Sequence, residues 1–154
     1  MNFYLLLIIL SLLAIIFISD FKYMVILDSP LIVSVILVSI IKYYYLGLNN
    51  LLLSYAFGLI VFGVMFLFRI FGNMAFKKES LGGGDIKLSF LFGLISGWQL
   101  GLLSIAVGSF IAFPIALYVT SKKESTEIPF GPYLILGFLI VFFFGEHILK
   151  FIGL

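Results

Sequence analysis

"LLLSYAFGLIVFGVMFLFRIF", residues 51–71, carries a single charge, Arg69, near its end. The apolar run is continuous and does not alternate with polar residues. A membrane β-strand would alternate with period two, so the stretch reads as an α-helix. Its length meets the ~20 apolar residues that a helix needs to cross a hydrocarbon core. The whole chain has the same character. It has 154 residues, 64% hydrophobic and 10% charged, with a mean hydropathy of +1.31. Soluble domains are about half apolar and a quarter charged, so this composition belongs to an integral membrane protein. At about 20 residues per crossing, the length holds about six spans and no soluble domain. The expectation is an all-α membrane protein, a polytopic bundle of about six transmembrane helices forming one domain over residues 1–154.

Outward from 51–71, apolar runs at 3–19, 29–46, 86–98, 101–119 and 133–152 supply the other five spans. Pro30 suits the first turn of its helix. "GLNN" at 47–50 reads as a turn, and 72–85 and 120–132 are the longer polar stretches. Residues 86–120 could form one bent helix, and charge decides against it. With six spans, one side collects Lys22, Arg69, Lys77, Lys78, Lys87, Lys122 and Lys123, and the other only Lys42 and Lys150. Seven against two is a positive-inside bias that puts both termini outside the cytoplasm. The first apolar run lacks a basic lead and a small-residue cleavage site, so it is expected to be retained as a span. Without cysteine there are no disulfides, thiolate metal sites or cysteine nucleophiles. A net charge of +2 is too small to point to nucleic acid.

Span parity sorts the seven acids. Asp20, Asp28, Glu79, Asp85, Glu124 and Glu127 fall on the cytoplasmic side, and Glu146 near the other. Glu79 and Glu124 adjoin lysines and read as solvated. His147, in the last span, reads as an interfacial or packing residue. A carboxylate close to hydrocarbon is costly and marks a functional candidate. Asp85 stands out because Gly82, Gly83 and Gly84 precede it. Glycine reaches unusual backbone conformations and lets another chain come close, so "GGGD" predicts a carboxylate in a wet notch against bare backbone. A phosphate loop is excluded, because no GK[ST] follows. Two neighbouring carboxylates titrate as a unit, one acting as base and the other as acid, which is the chemistry of aspartic proteolysis. Asp20 and Asp28, both on the same side, are the candidate partners for Asp85. Gly58, Gly63, Gly93 and Gly108 permit close helix approach, chiefly between the protein's own helices.

These residues resemble the type IV prepilin peptidases, bacterial members of the GxGD intramembrane aspartyl proteases. "LGGGDIKL" at 81–88 resembles the family's second-aspartate motif. "DFKYMVIL" at 20–27 resembles the first, with Asp20, Lys22 and Ile26 in place and Leu27 where proline is usual. "IPFGP" at 128–132 matches a third marker. The resemblance implies that Asp20 and Asp85 are catalytic. It implies that Lys22, Gly82, Gly83, Gly84, Lys87, Pro129, Phe130, Gly131 and Pro132 shape the site or the substrate's place in it. It also implies no metal or cofactor, a prepilin or pseudopilin substrate with a basic leader and a hydrophobic helix, and cleavage at the cytoplasmic face of the inner membrane. Many members carry an N-terminal methyltransferase region with zinc-binding cysteines. This sequence resembles the short peptidase-only form, which implies cleavage without N-methylation. Other classes compatible with membrane-edge acids are a proton-coupled small transporter or channel component and a structural subunit. A transporter is expected to hold its acids at the midplane and to show inverted repeats.

Overall fold

The computed structural model describes residues 3–76, 81–121 and 129–152. Glu79, Glu124, Glu127, Lys77, Lys78, Lys122 and Lys123 lie outside the described residues, as do the side chains of Glu146 and His147. Five helices follow one another: α1 (Phe3–Tyr23), α2 (Asp28–Phe76), α3 (Gly83–Ser96), α4 (Trp98–Ser121) and α5 (Gly131–Ile152). No strand occurs among the described residues. Two of the helices, α2 and α4, are long and apolar enough to cross a membrane. Large apolar side chains point outward along them, with Phe110 80% exposed and Phe113 62%. Such surface is tolerable against lipid and costly against water.

α2 is a helical hairpin. Gly47 breaks it with φ 78° and ψ 175°, a backbone conformation that is essentially glycine's own. In an unbroken helix, residues 16 apart would be ~24 Å apart. Instead the Ser39 and Tyr55 hydroxyls lie 2.8 Å from each other, and Lys42 Nζ donates to Ser54 Oγ at 2.9 Å. The two halves of α2 therefore run antiparallel, and the turn expected at "GLNN" turns on its first residue. Pro30 sits in the first turn of α2, where its missing N–H costs nothing.

Gly97, with φ 87° and ψ 172°, makes the same kind of reversal between α3 and α4. A Cβ added to Gly101 would lie 3.1 Å from the Gly93 Cα, so the two helices pack face to face from the turn onward. Residues 86–120 are thus two helices, as charge indicated. The boundaries differ, since α3 runs 83–96. At 14 residues it is about 21 Å long, short of a ~30 Å hydrocarbon core.

The core forms where α3 is enclosed by α2, α4 and α5. Leu88, Leu91, Phe92 and Leu94 are fully buried, and the Phe92 ring stacks on Phe138 at 4.4 Å. Gly58, Gly93 and Gly108 serve the protein's own packing: a side chain on Gly93 would strike the Phe57 carbonyl, and one on Gly108 the Tyr133 carbonyl, each at 2.8 Å. A side chain on Gly63 would meet nothing within 4 Å, so that position makes no such contact.

Candidate active site

Three helix ends converge away from the glycine turns: the last turn of α1 and the first turns of α3 and α5. Asp20 lies in that last turn of α1 and is only 5% exposed. Its Oδ2 accepts a hydrogen bond from the Gly131 N–H at 2.9 Å. Gly131 opens α5, where backbone amides lack intrahelical partners and favour an anion. The flanking residues make that end possible. The Phe130 carbonyl accepts from the Tyr133 and Leu134 amides at 3.1 and 3.2 Å, which closes the first turn. Pro132 needs no donor at its position and is fully buried. Pro129 and Phe130 are half-buried beside it.

Asp85 is in the first turn of α3 and is 7% exposed. Gly82 caps that helix, and its N–H donates to the Asp85 carboxylate. This is one half of a capping box, an acidic third residue reaching back to the cap amide. Each aspartate is thus held by an amide at the start of a helix, Asp20 by α5 and Asp85 by its own α3. Both carboxyls lie at the end of the bundle where these helix ends meet.

Ile26 joins the two halves of the site. A Cβ on Gly84 would come within 2.7 Å of the Ile26 Cβ, and one on Gly131 within 3.1 Å of its Cδ1. The same Gly131 substituent would fall 2.6 Å from Asp20 Oδ2. The three glycines before Asp85 therefore serve close approach. Gly84 makes room for Ile26, Gly83 lies against the Arg69 guanidinium, and Gly82 lies against Asp85 itself. Positive φ is not the reason, since the glycines that adopt it are Gly47 and Gly97. The expected notch of bare, non-helical backbone is corrected accordingly. Gly82 alone is extended, Gly83 and Gly84 already belong to α3, and the carboxylate is buried.

The remaining candidates separate. Lys87 is half-exposed and pairs with Asp28, its Nζ 2.7 and 2.9 Å from the two carboxylate oxygens. Asp28 is thereby occupied at the surface, 58% exposed, and stands apart from the buried pair. Lys22 is exposed, with its ammonium 5.2 Å from the centre of the Tyr23 ring. The alternation of spans had brought Asp20 and Asp85 to one end, and the helix ends do meet there. Sequence reasoning missed two contributors. Ser19 is buried and donates to the Val25 carbonyl at 2.9 Å, which ties down the stretch after Asp20. Arg69 reaches Gly83. The signals were present: a hydroxyl beside the helix-end aspartate, and a lone cation at the end of the longest apolar run. Among the described residues no group of three histidine, cysteine, aspartate or glutamate side chains gathers that could hold a metal.

Residues 7–117 match the type IV leader peptidase family. The chain belongs to that family. Its similarities include the prepilin leader peptidase/N-methyltransferase of Pseudomonas aeruginosa, 34% identical over 95 residues that cover 58% of this chain and 33% of that protein. The protein of that name from Legionella pneumophila is 38% identical over 77 residues, 47% of this chain and 26% of that protein. The one from Aeromonas salmonicida is 35% identical over 114 residues, 67% of this chain and 39% of that protein. The chain thus spans roughly a third of the length of these relatives. No solved structure matches it. Asp20, Lys22 and the Gly82 to Lys87 helix start lie inside the segment that matches the leader peptidase family. Pro129 to Pro132 lies beyond that segment and joins the site through the Gly131 amide.

Proposed function

We propose that the chain is a single-domain membrane aspartic endopeptidase that removes the basic leader from prepilin or pseudopilin precursors. Asp20 and Asp85 act as one unit. With one proton shared between them, the ionised carboxylate takes a proton from water while the protonated one donates to the peptide carbonyl oxygen. The water oxygen bonds to the carbonyl carbon. The C–N bond then breaks as the amine leaves with a proton, so hydrolysis balances with no other reactant. The Gly131 and Gly82 amides orient the two carboxyls. Lys22, Lys87 and the Pro129 to Pro132 turn shape the surroundings. What supports this reading most directly is the convergence of two buried aspartates from distant helices, each fixed by a helix-start amide, in a member of the leader peptidase family.

In the proposed topology α1, both halves of α2, α3, α4 and α5 give six passes through the inner membrane. The aspartates lie at the cytoplasmic face and both termini on the other side. The substrate helix lies in the bilayer beside the enzyme, and the leader crosses the Gly82 to Asp85 helix start. Co-expression with a prepilin carrying an intact leader tests this. Wild type should yield a product that begins directly after the leader, by mobility shift and N-terminal sequencing. No product from a panel of prepilins, with the protein folded in the membrane, would overturn the substrate class.

A further inference from the structure

Both aspartates are 5–7% exposed, and catalysis needs a water and a peptide bond against both. Ile26 is packed against the backbone beside each of them. It occupies the space between Gly84, next to Asp85, and Gly131, which holds Asp20. Ile26 belongs to the non-helical stretch 24–27 between α1 and α2. That stretch has the marks of a movable element. Met24, Val25 and Leu27 are 53%, 55% and 45% exposed, so they contribute little buried surface. Met24 has φ +53°, a conformation that residues with a side chain adopt uncommonly. The stretch is tied down by the Ser19 hydroxyl on the Val25 carbonyl and the Met24 amide on the Asp20 carbonyl, each 2.9 Å. Elements that open for ligands are drawn from such weakly anchored surface segments.

We propose that Ile26 is a removable plug, seated between Gly84 and Gly131, which the 24–27 stretch withdraws to admit the substrate's leader and the attacking water. The lack of side chains at Gly84 and Gly131 is what lets the plug seat, so these glycines serve the closed state. Ile26 is a positioning residue, since it touches glycines beside the catalytic groups and takes no part in proton transfer. The plug also keeps the carboxyls from idle water until a chain is present. As a gate on that site it rests on the aspartic peptidase reading, but its presence is measurable without catalysis.

The test is carboxyl labelling by a water-soluble carbodiimide and a small amine, on the full-length protein in detergent, with each site followed by mass spectrometry. Asp28 serves as an exposed internal standard. In wild type Asp20 and Asp85 should react far more slowly than Asp28. Ile26→Ala should speed both by about tenfold without changing Asp28. Ile26→Val, which removes only the Cδ1 beside Gly131, should move the same way by less, and serves if the alanine variant fails to fold. Ser19→Ala frees the Val25 carbonyl and shifts the stretch toward open. It should lower KM by about fivefold with kcat held, because a larger fraction of the enzyme is competent to bind. A purely structural Ser19 would give no such gain. Unchanged labelling in the folded Ile26 variants, or an unchanged or higher KM in Ser19→Ala, overturns the plug. Faster labelling in a protein that cuts no prepilin would keep the plug and remove the peptidase reading.

Discussion

The two ends of the helical bundle solve the same connection problem in opposite ways. At one end the chain reverses in single residues, Gly47 and Gly97, whose backbone angles differ by less than ten degrees (φ 78° and 87°, ψ 175° and 172°). At the other end the connections are longer, and the helix ends carry Asp20, Asp28, Asp85 and Lys87. The turn end needs glycine for its dihedral angles. The site end needs glycine for the absence of a Cβ. A residue type that looks interchangeable along the sequence therefore does two separate jobs, and substitutions should tell them apart.

The largest effects should come from the carboxyls. Asp20→Asn and Asp85→Asn are each expected to cut prepilin cleavage by ~10³-fold or more, with helix content by circular dichroism unchanged. Asp28→Asn removes an exposed pair with Lys87 and should leave the rate within about threefold. If Asp28→Asn were the inactive variant and Asp20→Asn active, the assignment of the first acid would be reversed. Next comes Gly131→Ala. Its Cβ would sit 2.6 Å from Asp20 Oδ2, so the carboxyl must move, and kcat should fall by about 10²-fold with little change in the melting temperature.

Gly47→Ala and Gly97→Ala should invert that pattern. Each forces a side chain into a glycine-only region at about 1–3 kcal/mol, so thermal unfolding in detergent should shift down while the kcat of the folded fraction is retained. Equal kinetic damage at Gly47 and Gly131 would erase the distinction between the two ends. The smallest effect is expected for Tyr55→Phe, which removes the bond to Ser39 across the α2 hairpin and should cost about 0.6 kcal/mol of stability.

Much of the fold was legible in the sequence because its strongest signal, continuous apolar length, is local. It located the helices, the turn at Gly47 and the split between α3 and α4. It placed the start of α3 three residues late, because glycines counted as loop formers, whereas Gly83 and Gly84 are helical. That the end of α1 and the start of α3 share one side was legible because alternate crossing of spans returns helix ends to the same side, whereas the choice of Asp20 over Asp28 rested on the resemblance. The separate fate of Asp28 was not, since its partner Lys87 is 59 residues away and only packing of α3 on α2 brings them together. Nor was the role of Ile26. It depends on two missing Cβ atoms in two other helices, and no local pattern encodes a space shared by three segments.

The glycine turns have a consequence for biogenesis. In the proposed topology, a connection of one residue leaves almost no polar chain on the far side of the bilayer between paired helices. The two halves of α2, and then α3 with α4, can enter the lipid as ready-made pairs, with no soluble segment to be hauled across.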